Sequence, residues 1–354
     1  MGSPAGTFVI VNHSAARARA AWGVVRRALG DAGVGFDAHE AREFGDARAR
    51  ARDALKAGYR TVAVVGGDGT LSEVVNGFFE DFDAGARGVD ENGADRRPPS
   101  PINPEAALAL LPAGTGNDFA RAVEGQRASL ESWIARLVAH CRASGDGISQ
   151  GERTSAATRA VDVLHGTAAG GTRGSVTTDG GARSFLCLNA VTLGVGAEVA
   201  AQVAAQGSLA RRLSGEARFA LAAAVGIARW RERRVRVRLD GGEARELRTN
   251  LIAVVNSRFA GGGMMFSPEA RVDDGLLDVV TAARLSRATL VREMARIHAG
   301  GHVANPRVRV ERGARVRIEP VTEDDALPVE ADGDVCGRTP LELVVMPRAL
   351  RVVI

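Results

Sequence analysis

Two domains of different class are predicted: an α/β, Rossmann-like domain over residues 1–148 and an all-β, sandwich-like domain over residues 149–354. Three observations predict them. In the first part, apolar runs of strand length alternate with helix-patterned stretches, the order of a parallel sheet covered by helices. Two of those strands run straight into glycine-rich turns that open helices. In the later part, strands dominate, and arginine alternates with valine or isoleucine in several of them, the period-two mark of a half-buried antiparallel sheet.

Taken in order, residues 8–11 read as a strand, 15–30 as an Ala/Arg-rich helix and 46–57 as a second helix. A strand at 61–65, a helix at 71–79 and a strand at 107–111 follow, with a helix at 130–141 closing the region. Residues 83–105, rich in Gly, Pro, Asp and Arg, read as a mobile surface insertion. The Gly/Ser/Thr-rich stretch 143–182, broken by a candidate strand at 159–164, carries the domain boundary near 144–157. Strands are then expected at 184–191, 234–239, 249–256, 276–281, 307–310, 315–319, 341–345 and 349–354, with helices only at 209–230 and 287–298.

Composition excludes several classes. No run reaches the roughly 18 apolar residues of a membrane span, and the first residues carry no basic and apolar pattern of a secretion signal. A cytoplasmic protein is expected. Cys141, Cys187 and Cys336 are odd in number and far apart, which fits reduced thiols rather than a zinc or redox motif. Net charge is +4, and the arginine clusters at 211–212, 229–238 and 307–317 suit solvated faces or an anionic lipid surface. A single tyrosine and few other aromatics leave no stacking platform, so nucleic acid is not expected as a partner. Lys56 is the only lysine and lies in a helical pattern. That removes the P-loop and the protein-kinase strand lysine together.

The chemistry gathers at the two glycine turns. In the first, Val64-Val-Gly-Gly-Asp-Gly-Thr-Leu-Ser-Glu73, a strand ends in Gly66 and Gly67, followed by Asp68, Gly69, Thr70, Leu71, Ser72 and Glu73. The turn lets backbone approach a ligand, the helix start offers unpaired N–H groups to a phosphate, and Asp68 supplies a carboxylate where a phosphate-bound cation would sit. The second is Leu111-Pro-Ala-Gly-Thr-Gly-Asn-Asp-Phe-Ala-Arg121, with Gly114, Thr115, Gly116 and Asn117 at its centre. Either alone reads equally well as a tight βα turn. Parallel strands deliver their following loops to one sheet edge, so the pair makes a cradle for a magnesium–nucleotide.

With these motifs the chain resembles the diacylglycerol-kinase-type lipid kinases, which include sphingosine, ceramide and bacterial lipid kinases. The resemblance runs nearly end to end. It begins at Val9-Ile-Val-Asn12, passes through both glycine turns, then Asn189 to Gly196 and Ala270 to Val279, and ends with Val329-Glu-Ala-Asp-Gly-Asp334 and Pro340 to Val345. It implies an ATP-binding α/β domain of the NAD kinase/diacylglycerol kinase type and a β-rich lipid-substrate domain, with the active site in a cleft between them. It implies that Asn12, residues Gly66 to Glu73 and Gly114 to Asn117 bind ATP, with Asp68 near the catalytic Mg²⁺. Asp332 and Asp334 are the expected bases, because a lipid hydroxyl needs a carboxylate to take its proton as the γ-phosphoryl moves. Standing alone, Ala331-Asp-Gly-Asp334 and Asp273-Asp-Gly275 would each be read as a hairpin turn. Bacterial relatives hold a structural Mg²⁺ at the latter, which transfers here to Asp274 with the carbonyls of Arg271 and Leu276, and with Asp273 as an added ligand.

The chain departs from the pattern in places. His13 stands where proline is usual, Ala15, Ala16 and Arg17 replace an expected glycine, Ala41 replaces a frequent threonine, and Asp334 is one methylene shorter than the usual Glu. Arg17 or Arg19 is the candidate to compensate in the first loop. The stretches 83–105 and 166–182 are further departures. The expected activity is an ATP- and Mg²⁺-dependent lipid kinase acting on a diacylglycerol or sphingoid-type lipid at a peripheral membrane surface, with a homodimer left open. The alternatives are an NAD kinase-like enzyme and a catalytically weakened nucleotide or lipid sensor.

Overall fold

A computed structural model describes residues 6–80, 98–143, 157–170, 182–198, 225–228 and 230–354. Two compact units divide the chain at Val163/Leu164. Of the described residues, the first takes those before that point together with Met346–Ile354, and the second takes those from Leu164 to Val345. The expected boundary at 148/149 and most of the expected insertion at 83–105 lie outside the described residues.

In the first unit, β1 (Thr7–Asn12), α1 (Ala16–Asp31), β2 (Phe36–Ala41), α2 (Asp46–Lys56), β3 (Thr61–Gly66), α3 (Asp68–Gly77), β4 (Ala107–Pro112), α4 (Asp118–Glu124) and α5 (Leu130–Ala143) follow one another. The strands form a parallel sheet in the order β2-β1-β3-β4. β3 shows why it sits in the middle: every residue of Thr-Val-Ala-Val-Val-Gly is buried, as a strand covered on both faces requires. α1 is built from good helix formers, and its stripe Ala18, Ala21, Val25 and Leu29 is the face it buries. β2 was not expected. Its Phe-Asp-Ala-His-Glu-Ala is half-exposed along most of its length, as an edge strand tolerates, so it carries no apolar run. α3 begins at Asp68, three residues before its expected start, and this shortens the first turn to Gly66-Gly67.

The second unit is an antiparallel β structure. β5 (Thr158–Ala169) leads into it, followed by β6 (Ala182–Cys187), β7 (Ala190–Gly194), β8 (Arg233–Leu239), β9 (Arg245–Val255), β10 (Leu277–Ala283), α6 (Arg287–Ile297), β11 (Val308–Gly313), β12 (Arg315–Pro320), β13 (Pro328–Ala331) and β14 (Asp334–Val353). Pairing from β9 passes through β7, β13, β14, β12 and β8 and returns to β9, so these six strands close on themselves. β9 and β14 each pair with different partners along their length, the way a strand turns a sandwich corner. Inward aliphatic residues such as Val235, Val237, Ile252, Val254, Val316 and Leu343 fill the core, while the alternate arginines of β8 and β12 face outward.

The long stretch 143–182 differs from expectation, since residues 166–169 continue β5 instead of forming a linker. The expected strand 184–191 is two strands, broken at Leu188 and Asn189. The strands expected at 341–345 and 349–354 are one, β14, kinked where Arg348 takes a positive φ of 52° and its N–H is held by Asp162 Oδ1 at 2.7 Å. The helix expected at 209–230 lies outside the described residues except for 225–228, which are helical, and Trp230.

Candidate functional site

The two glycine turns meet. β3 and β4 are neighbours in register, Gly66 opposite Pro112, and Ala113 N–H donates to the Gly66 carbonyl at 2.8 Å. A Cβ on Gly67 would lie 3.0 Å from Gly114 Cα, and one on Gly114 would lie 2.5 Å from Gly67 Cα. Gly114 leaves no room for a side chain and Gly67 very little, because the backbones of the two turns are in contact. Asn117 adopts the left-handed conformation, φ 53°, which Asn tolerates better than most residues. It clasps its own turn, accepting from Gly114 N–H at 2.9 Å and donating to the Gly114 carbonyl at 3.1 Å.

Asn12 draws in the loop after β1. Its Nδ2 donates to Thr70 Oγ1 at 2.8 Å, while its Oδ1 accepts from Ser14 N, Ser14 Oγ and Ala15 N at 3.1, 2.8 and 3.3 Å. Asn12, Gly66 to Thr70 and Gly114 to Asn117 therefore gather at the C-terminal edge of one parallel sheet, where a small cavity is lined by Gly66, Gly67, Asp68, Pro112, Asn117 and Ala120 together with the apolar Val64, Leu71, Leu110 and Leu111. The first helical bond of α3 runs from Leu71 N to Gly67 O at 3.0 Å, so the N–H groups ahead of it start a helix whose dipole favours an anion. The altered first loop has its own basic group here: Arg17 Nη1 donates to Thr115 Oγ1 at 3.2 Å, whereas Arg19 turns back to the His13 carbonyl at 2.5 Å.

Three of the expected nucleotide residues face inward or brace a neighbouring helix. Leu71 and Ser72 are buried, and Glu73 Oε2 accepts from Gly45 N–H at 2.9 Å, bracing the start of α2. Asp68, expected near Mg²⁺, turns to the second motif, where its Oδ1 accepts from Phe119 N–H at 3.3 Å. Burial pushes its carboxyl above the usual range, and the amides of Asn117, Asp118 and Phe119 pull it the other way. Asp68 thus ties the first turn to the start of α4.

The carboxylate expected to hold a structural Mg²⁺ is engaged by protein groups. Both oxygens of Asp274 are engaged: Oδ1 accepts from Leu276 N–H at 3.1 Å, and Oδ2 pairs with the Arg312 guanidinium. Arg312 Nε also meets the buried Asp278 at 2.8 Å, Asp278 accepts from Ser267 Oγ at 2.5 Å, and Arg271 Nε lies 3.5 Å from Asp273. Arginine stands against the carboxylates that the resemblance assigned to a cation. Among the described residues no cluster of three or more His, Cys, Asp or Glu side chains offers a metal site. Arg312→Ala strands the buried Asp278 charge; with the guanidinium 40% exposed, a cost of about 2–3 kcal/mol is expected. That lowers the melting temperature by about 4–10 °C. Thermal melting checks it, with chelator leaving the wild-type melting temperature unchanged.

In the second unit the two late aspartates have separate tasks. Asp332 sits in the β13–β14 turn at a positive φ of 47°. Its Oδ2 accepts from Leu188 N–H at 2.7 Å and its Oδ1 from Asn189 and Ala190 N–H at 3.0 and 3.3 Å. It holds the break between β6 and β7. Burial raises its carboxyl, and these amides pull it down. Asp334 is exposed, its carboxylate has no hydrogen-bond or ion-pair partner among the described residues, and desolvation raises it from the ordinary carboxylate range. A carboxylate with open lone pairs and a raised proton affinity can receive a proton; one filled by three amides cannot do so readily. The resemblance did not separate the two. Glu330, Thr192 and Arg312, which also shape these sites, were not singled out. Glu330 lies on β13, a four-residue Pro-Val-Glu-Ala strand too short to stand out in the sequence.

Two family models match the chain. The diacylglycerol kinase catalytic domain covers residues 6–149, and the YegS C-terminal NAD kinase beta sandwich-like domain covers residues 189–354. A Pseudomonas aeruginosa protein named probable lipid kinase YegS-like is 31% identical over 313 residues, covering 88% of this chain and 82% of that protein. A Mycobacterium tuberculosis diacylglycerol kinase is 28% identical over 319 residues, covering 90% and 82%. A solved structure described as a putative diacylglycerol kinase from Bacillus anthracis superposes with a TM-score of 0.66 at 17% identity, over 100% of this chain and 96% of that one. That last likeness bears on the fold, an α/β domain joined to a β-sandwich-like domain of the diacylglycerol kinase type.

Proposed function

The chain belongs to the diacylglycerol-kinase family, and from that membership we propose that it transfers the γ-phosphoryl group of magnesium-bound ATP to the hydroxyl of a diacylglycerol or sphingoid-type lipid presented at a membrane surface. The single observation that carries the catalytic half of this reading is the division of labour in the Asp-Gly-Asp turn: Asp332 is consumed by three amides and Asp334 is open. The paired glycine turns support the nucleotide half. The start of α3 and the first turn receive the phosphates, Gly67 and Gly114 leave backbone on which no Cβ intrudes, and Arg17 beside Thr115 offers the one added positive charge the altered first loop brings.

Magnesium arrives with ATP as part of the substrate and neutralises phosphate charge. The lipid hydroxyl oxygen attacks the γ-phosphorus, its proton passes to Asp334, the bond from γ-phosphorus to the β–γ bridging oxygen breaks, and ADP leaves. Asp334 is shorter than the more usual Glu by one methylene, so the acceptor hydroxyl must come closer to the turn. No helix among the described residues is long and apolar enough to cross a membrane. Offering γ-labelled ATP with a panel of diacylglycerol, sphingosine, ceramide and phosphatidylglycerol, and separately with NAD, tests this reading; label on a lipid supports it, and label on NAD alone refutes it.

A further inference from the structure

A third carboxyl group lies behind the Asp332–Asp334 turn. Glu330 is 9% exposed on β13. Its Oε1 accepts from Gly333 N–H at 2.5 Å, and its Oε2 is hydrogen-bonded by the Thr192 hydroxyl of β7. The titratable groups that act on it are Asp332 and Asp334 in the turn, Cys187 at the end of β6 and Cys336 on β14. None is a cation. Burial keeps both thiols protonated by pushing them upward, so among the described residues the charges that act on Glu330 are negative.

We propose that Glu330 is the positioning residue of Asp334: it grips the Gly333 peptide immediately before Asp334, fixes the direction in which that carboxylate projects, and by gaining or losing its own charge sets how strongly Asp334 attracts a proton. The grip survives both states. Protonated Glu330 donates to Thr192 Oγ1 and still accepts from Gly333; ionised Glu330 accepts from both. Only the charge differs. Desolvation, with the neighbouring Asp332 and Asp334, raises the group to about 7, so the change falls near neutrality. A negative Glu330 beside Asp334 makes the latter a stronger base. Transfer is therefore expected to rise as pH increases through about 7.

Stability must run the other way. A carboxyl whose value is raised on folding contributes stability that is fully present below its unfolded value, 4.5, and is lost as pH rises through about 7. Activity and stability thus trade against each other across one window through one buried group.

The proposal rests on the lipid kinase reading, and the test keeps the two apart. Wild type, Glu330→Gln and Glu330→Ala are compared by kcat/KM against pH on the lipid that accepts label, by KM for ATP, and by thermal melting between pH 5 and 8. Glutamine keeps the grip, its amide N–H donating to Thr192 and its oxygen accepting from Gly333, but cannot ionise. It is expected to lose the inflection near pH 7 while keeping kcat within about threefold of the low-pH wild-type value. Alanine is expected to lower kcat by about 30-fold or more with KM for ATP unchanged. In melting, wild type is expected to lose about 5 °C or more between pH 5 and 8 relative to Glu330→Gln. An alanine variant with wild-type kcat overturns the positioning role, as does a glutamine variant as impaired as alanine. A glutamine variant that keeps the inflection overturns the charge role. If wild type labels no lipid, the kinase reading fails; the melting comparison still shows whether Glu330 titrates in that window.

Discussion

Asp334→Asn is expected to lower kcat for lipid phosphorylation by about 10²–10⁴-fold, with the melting temperature and ATP affinity essentially unchanged. The side chain is exposed and has no partner among the described residues, so removing its charge costs the fold little, while asparagine cannot accept the hydroxyl proton. Asp332→Asn should act through the fold instead. Both oxygens of Asp332 accept from amides, at 2.7, 3.0 and 3.3 Å. An amide side chain replaces one of those acceptors with an NH₂ group facing backbone donors, at a cost of about 2–4 kcal/mol for the unsatisfied buried groups. Its activity falls because the turn and the β6–β7 break loosen together. Steady-state kinetics and melting on both variants separate a chemical role from an architectural one.

Gly114→Ala is expected to abolish measurable ATP binding and to destabilise the first unit. The new Cβ would stand 2.5 Å from Gly67 Cα and 2.8 Å from Asn117 Oδ1. No rotamer change relieves a clash with backbone, so the two turns must separate and the Asn117 clasp on Gly114 must open. Overpacking of this kind costs about 1–3 kcal/mol, and the phosphate cradle is lost with it. Gly23→Ala is the control: a Cβ there meets nothing within 4 Å in the middle of α1, and a gain of about 0.5–1 kcal/mol is expected. Calorimetric titration with MgATP and thermal melting read both outcomes.

How much of this was legible in the residues depends on the range of the interactions. The strand–glycine turn–helix units around β3 and β4 were plain, because apolar runs and helix starts are local signals. The alternating Arg-Val-Arg-Val-Arg-Leu run likewise gave β8 to within one residue. β2 was missed because an edge strand keeps its polar residues, and β13 because four residues with a buried acid show no period. β14 was read as two strands; the chain instead kinks at Arg348 and continues, held by Asp162, 186 positions away.

The site followed the same rule. That both glycine turns lie together follows from strand topology. That Gly67 and Gly114 serve each other's backbone, and that Asp68 spans to Phe119, needed coordinates. Asp332 and Asp334 are equivalent in sequence, and what separates them is a set of amides at 188–190, more than 140 positions earlier. The Arg312–Asp274 pair was hidden for the same reason, with 38 positions between partners.

The central claim is phosphoryl transfer from ATP to a lipid hydroxyl with Asp334 as the base. It is tested most directly by following ³²P from γ-labelled ATP into the organic phase, with wild type and Asp334→Asn run side by side on mixed micelles of each lipid. The account predicts chloroform-extractable label that depends on one lipid class, is produced by wild type and falls at least about 100-fold in the variant. Label that stays in the aqueous phase with every lipid, or labelled lipid formed equally well by both proteins, would contradict it.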